Sequence, residues 1–178
     1  GDVVVIAGAG TLGLGMIAAA RLKNPGMLIA IDLVDYRLNI AKQLGADLVI
    51  NVQREDPVQR VLDLTDGYGC DVFIECSGIA SSVSTGLDAL KKRGRLVVYG
   101  VYTKHGDVDL NEISQNKELT LIGGHLSPNT TPYVIRCLER GLVDPRPMIT
   151  EVFALEDFDK AIDIRKTNPD SIKTLLVP

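Results

Sequence analysis

Residues 3–7, Val-Val-Val-Ile-Ala, form an unbroken and mostly β-branched apolar run, which predicts a strand buried on both faces. Leu12, Met16, Ile17 and Ala20 then recur at helical spacing, with glycines at 8, 10, 13 and 15 around the junction. The same alternation repeats down the chain. Residues 27–31 predict a second strand, 36–44 a second helix stopped by Gly45, and 48–50 a third strand. Residues 57–64 suit a helix, 66–69 a turn, 72–76 a fourth strand, 82–92 a fourth helix and 96–100 a fifth strand. A sixth strand is predicted over 119–122, and the connection before it, 101–117, reads as a loop rather than a full helix.

Strands alternating with helices in this way make two βαβαβ halves, so the predicted fold is α/β: a doubly wound, parallel, six-stranded sheet of the Rossmann kind. A shorter tail follows. Thr131-Pro132 opens a helix to Arg140, residues 153–157 lead into another, and 172–177 predict a last strand whose partner is not evident. The expected division is a dinucleotide-binding domain over 1–150 and a helix-strand tail over 151–178.

The opening segment admits a second reading, because 3–20 nearly reaches the roughly 20 apolar residues of a membrane span. Four glycines argue against it, each weakening a lone helix by about 1 kcal/mol relative to Ala. Asp2 precedes the apolar run, where a secretory signal needs basic residues. A strand, a tight turn and a helix start fit better, with the glycines in the pattern Gly8-x-Gly10-x-x-Gly13. That pattern alone is weak, since glycine-rich turns are common. Asp32 strengthens it, because it closes the second strand about 20 residues on, where a dinucleotide site needs an acid. Gly8 would permit the turn, Gly10 would let a pyrophosphate approach the backbone, and Gly13 would let helix and strand pack closely. Free amides and the helix dipole would hold the anion. Asp32 would accept from the adenosine ribose hydroxyls and repel a 2′-phosphate, which favours NAD over NADP.

Composition narrows the partners. Hydrophobic residues at 46% and charged residues at 24% allow an ordinary core. A net charge of −4 without a Lys/Arg run argues against nucleic acid and anionic membranes, and 4% aromatics without Trp argue against base stacking. Cys70, Cys76 and Cys137 are odd in number and lack CxxC spacing, so a reducing cytosol is expected rather than a disulfide framework.

Several stretches in order resemble the cofactor half of the medium-chain zinc-dependent alcohol and polyol dehydrogenases, of the sorbitol and threonine dehydrogenase kind. They are GAGTLG at 8–13, Asp32, Arg37 within DYRLNIAKQLGAD, GYGCDVFIECSG at 67–78, GRLVVYGV at 94–101, and the tail DSIKTLLVP. The resemblance implies that the amides of Gly10, Thr11 and Leu12 lie under the pyrophosphate and that Asp32 holds the ribose. It places Arg37 near the adenosine end and Ser77 and Gly78 beside the adenine-side crevice. Backbone groups around Val101 and near Gly124 and His125 would receive the nicotinamide carboxamide. In that family a separate domain, mostly N-terminal, supplies the zinc ligands. The Cys and His residues here do not fall at ligand spacing. The chain starts at Gly1, so the expectation is an excised or truncated domain that binds NAD(H), with zinc and the alcohol or polyol substrate belonging to the missing part. The last strand would rejoin that part.

Other residues have plainer readings beside the tempting ones. Cys76 could be a nucleophile, but a buried structural thiol fits better without a histidine motif nearby. Glu75 could face the crevice or simply be a solvated or hydrogen-bonded strand end. His125 could serve the nicotinamide or be an ordinary loop residue, and His105 reads as exposed. The apolar stretch KELTLIGGHL could pair, as an edge, with a second copy to give a homo-oligomer, or be covered. Two rival functions stay open: a stand-alone nucleotide-sensing module, which predicts a self-paired last strand, and a class-I methyltransferase, which predicts an antiparallel hairpin at the sheet's end.

Overall fold

The computed structural model describes residues 1–126 and 129–178. Its central sheet contains β1 (Val3–Ala7), β2 (Met27–Asp32), β3 (Leu48–Asn51), β4 (Cys70–Glu75), β5 (Leu90–Val98) and β6 (Thr120–Gly123). All neighbours are parallel, in the order β3-β2-β1-β4-β5-β6. Chain order reverses between β1 and β4, the position where doubly wound sheets open a crevice at the carboxyl ends of their strands.

Alternation along the inner strands builds two cores. Val5, Ala7, Ile29 and Ile31 face one side, where they meet α3 (Pro57–Leu64) and α4 (Ala80–Ala89) through Val61 and Leu87. Ile6, Leu28 and Ala30 face the other, against α1 (Thr11–Arg21) and α2 (Asp35–Gln43) through Leu14, Ile17, Ile40 and Ala41. Strands covered on both faces read as continuous apolar runs, which is why 3–7 and 27–31 stand out in the sequence. Asp56 caps α3 by accepting from the amides of Val58 and Gln59 at 2.8 and 3.3 Å, with Pro57 in the first turn.

Helix four is shorter than its pattern. It spans Ala80–Ala89 rather than 82–92, and β5 begins at Leu90 rather than at 96. Leu90 is extended, almost fully buried and paired with Cys70, so tertiary burial overrides the helical continuation that the two lysines after it suggest. Between β5 and β6 the chain is mostly irregular, with one π-helical turn at Glu112–Asn116.

The tail also departs from expectation. After α5 (Thr131–Glu139), residues Ile149–Ala154 form a strand, β7, of which the sequence pattern marks only 153 and 154, as the lead-in to a helix. The helix that follows is α6 (Phe158–Thr167), and the last strand is β8 (Lys173–Val177). The partner that β8 lacked in the sequence is β7, to which it pairs in parallel in a separate two-stranded sheet. Ile172 is buried in the α1–α2 core, with Val143 and Met148 packed against it. Among the described residues no helix is long and apolar enough to cross a membrane, which closes the membrane-span reading of the opening helix.

Candidate dinucleotide site

The crevice starts where β1 ends. Gly8 turns the chain with φ +94°, a left-handed conformation that costs a Cβ-bearing residue, and its amide donates to the Ile31 carbonyl at 2.8 Å. A Cβ there would also lie 2.7 Å from the Ser77 amide nitrogen, so the turns after β1 and β4 touch backbone to backbone. Gly13 does a different job, since a Cβ on it would lie 2.8 Å from the Gly8 carbonyl carbon. Gly10 is different again. It is an extended N-cap (φ −74°), and a Cβ would meet nothing within 4 Å. The first and third glycines shape the protein, and the second keeps a space open beside the start of α1. No acidic side chain lies in that helix's first turn, so none of its own residues offsets the dipole there.

Asp32 closes β2 beside this space. Its Oδ2 accepts from the Ala9 amide at 2.6 Å, and its Oδ1 accepts from Leu33 and Val34 at 2.8 and 2.9 Å. The carboxylate therefore ties the glycine turn to the end of β2. Arg37, from α2, donates through Nη2 to the Ser171 carbonyl at 3.3 Å, while its Nε is buried with no protein partner among the described residues. A buried donor left unpaired is costly, on the order of 1–3 kcal/mol, unless something else accepts from it.

Gly8, Gly10, Asp32, Arg37 and Ser77 line one cavity of about 450 Å³. Thr11, Leu12, Gly13, Gly78, Val101 and His125 are not among its lining residues. Thr11 turns its hydroxyl to the Ile172 carbonyl at 2.6 Å, and Val101 and His125 lie exposed on the β5 and β6 side. Val52, Pro57, Ile79, Ser81, Ser82 and Thr85 also line the cavity and were missed in the sequence. No local motif marks them, because they come from the turns after β3 and β4 and from the α3 and α4 helices that follow. Cys76 lies in the wall, and burial first, then the neighbouring Glu75, push its thiol up to about 12. At neutral pH it carries almost no thiolate, in keeping with a packing role. Glu75 is fully buried and hydrogen-bonded, not solvated.

Three groups of facts bear on the chemistry. Among the described residues no three His, Cys, Asp or Glu side chains gather as a metal site. The parallel pairing of β6 with β5 departs from the antiparallel end of a methyltransferase sheet, and that reading is dropped. The space beside Gly10, a helix start with no acidic side chain in its first turn, and the Asp32 and Arg37 side chains in the cavity wall together suit an anionic dinucleotide.

Known proteins point the same way. Residues 11–140 match the family model described as zinc-binding dehydrogenase. The chain is 42% identical over 177 residues to an erythritol/L-threitol dehydrogenase of Mycolicibacterium smegmatis, covering 99% of this chain and 49% of that protein. It is 36% identical over 180 residues to an L-threonine 3-dehydrogenase of Bacillus velezensis, covering 100% of this chain and 52% of that one. It superposes with a TM-score of 0.87 on an alcohol dehydrogenase of Escherichia coli CFT073 solved with NADH, at 27% identity, covering 96% of this chain and 50% of that one. The chain thus spans about half the length of the curated relatives it matches. With the model match over most of its length, a doubly wound parallel six-stranded sheet and the glycine turn in place, the chain belongs to the zinc-binding dehydrogenase family.

Proposed function

We propose that this chain is the NAD(H)-binding half of a zinc-dependent dehydrogenase that passes a hydride between a polyol or secondary alcohol and NAD. The observation that carries the reading is the 450 Å³ cavity lined by Gly10, Asp32 and Arg37 at the carboxyl ends of β1 and β2. NAD, when bound, supplies the hydride acceptor. The chain's own part is position. Amides of Gly10, Thr11 and Leu12 receive the pyrophosphate charge, and Asp32 accepts from the adenosine ribose while still holding Ala9. Arg37 serves the adenosine end, Ser77 and Gly78 wall the crevice, and backbone near Val101 and His125 takes the carboxamide. Fixing both ends of the cofactor holds its reactive ring in one place.

The residues described here do not fit zinc. We assign the metal and the substrate pocket to the half of the relatives' length that this chain does not cover, so the 178 residues alone should form no NADH from alcohols, with or without added zinc. We also assign β6 as a pairing edge for a second copy, since Leu121 and Ile122 remain 42% exposed there. The three free thiols favour a cytosolic setting.

Titration with NADH, NADPH and S-adenosylmethionine tests the reading. NADH should bind at least about tenfold more tightly than NADPH, given a carboxylate facing the 2′ position. Binding of S-adenosylmethionine without NADH sinks it. One observation favours the sensor alternative: β8 is paired within the chain. That alternative predicts submicromolar NADH binding with a ligand-driven change of oligomer, which sedimentation in the same titration would detect.

A further inference from the structure

Glu75, the last residue of β4, is fully buried, and among the described residues every group that donates to it is neutral. Its Oε1 accepts from the Ser77 amide at 2.8 Å and from the Ser77 hydroxyl. Its Oε2 accepts from the Gly78 amide at 3.3 Å and from the Tyr102 hydroxyl. Its backbone carbonyl accepts from Tyr99 and Gly100 at 2.9 and 3.0 Å. One residue thus joins the turn after β4 to the loop after β5. The fit is close, because a Cβ on Gly100 would lie 2.5 Å from Oε2 and one on Gly78 would lie 2.5 Å from the Val101 carbonyl oxygen. Burial, then the bond to Glu75, raises the Tyr102 phenol well above its ordinary range, so it stays a donor.

The position of this knot matters. Asp32 and Arg37 line the cavity on the β1–β2 side of the crevice, where the proposed nucleotide would be held. A dinucleotide held there must lay its second half across the carboxyl ends of β4 and β5, because the fold is two mononucleotide halves meeting at the switch. Residues 77–79 and 99–102 are the chain that it crosses.

We propose that Glu75 is a positioning residue for the nicotinamide half of the cofactor: without touching it, the buried carboxylate sets the height of the 99–102 loop through Tyr102. This rests on the dinucleotide reading above. The test compares ADP-ribose, which lacks the nicotinamide ring, with NADH in wild type, Tyr102→Phe and Glu75→Gln. Tyr102→Phe should bind ADP-ribose within about twofold of wild type and bind NADH roughly five- to tenfold more weakly, as expected for loss of the net contribution of one hydrogen bond. Glu75→Gln should show the same split or a larger one. If it does not fold, Tyr102→Phe, which removes one hydroxyl and leaves the ring, carries the test. Equal losses for the two ligands, or none, overturn the proposal. Wild-type protein that binds neither ligand overturns the dinucleotide reading and this inference with it. That outcome is told apart from failure of the tether alone, in which wild type binds both.

Discussion

The hydroxyl of Thr11 donates to the carbonyl of Ile172 at 2.6 Å, joining the first residue of α1 to the approach to β8 across 161 positions. Arg37 grips the adjoining Ser171 carbonyl, so α1 and α2, on the β1–β2 side of the candidate cofactor crevice, are both strapped to the tail. Thr11→Val keeps the shape and removes the donor. It should cost about 1 kcal/mol in denaturant unfolding and speed amide exchange over 171–173, with 27–32 unchanged. Equal exchange in both regions would show that the strap carries no stability.

The glycines of the turn should separate under mutation. Gly10→Ala places a methyl in open space on a backbone that any residue adopts, so stability should stay within about 0.5 kcal/mol of wild type. NADH binding should fall at least about tenfold, because the methyl takes space the pyrophosphate needs. Gly13→Ala meets the Gly8 carbonyl and should instead destabilise by about 1–3 kcal/mol. Thermal melts and NADH titration on the two variants check both halves. A stable Gly10→Ala protein with unaltered NADH affinity would remove the turn from its role.

Asp32 holds Ala9 and lines the cavity in which we propose that the sugar lies. Asp32→Ser should weaken NADH by roughly 10- to 100-fold and NADPH by less than about threefold, since a lost acceptor hurts both cofactors but a lost repulsion helps only one. Asp32→Ala should do the same and melt lower, having no acceptor for the Ala9 amide. An unchanged NADH-to-NADPH ratio would take Asp32 out of the site.

Asp71 gives a pH dependence of stability. Burial opposes its ionisation, but the Lys91 ammonium and the Val3 amide, donating at 2.7 Å, outweigh that and hold the carboxyl below its ordinary value. A folded value below the unfolded one means stability that is present above about pH 4 and lost as pH falls through the folded value. Asp71→Asn should therefore cost about 1 kcal/mol near pH 7 for this partly exposed pair, with the gap closing in acid. A gap that persists at pH 2 would assign the loss to packing.

The first half of the fold is legible because each signal in it is local. Residues 3–32 carry a change of period, a glycine turn and a terminal acid within one short span. The end of α4 is not, because Leu90 leaves the helix to pair with Cys70, 20 positions back. The β7–β8 pair is hidden for the same reason, as Val152 and Leu175 have no shared local pattern. Of the site, Gly8 could be read because its left-handed turn demands glycine, and Gly10 and Asp32 because of their fixed spacing from it. Ser171 and Ile172 could not, since they act through carbonyls that every residue possesses.

The knot at Glu75 has a consequence for behaviour in brine. Its charge is met at contact range by amide and hydroxyl dipoles, which dissolved ions cannot reach once the group is enclosed. Exterior pairs such as Arg93 with Glu118, or Lys160 with Asp157, weaken as electrolyte accumulates around them. Raising ionic strength should thus soften the periphery of the molecule while the spacing between its two crevice walls holds.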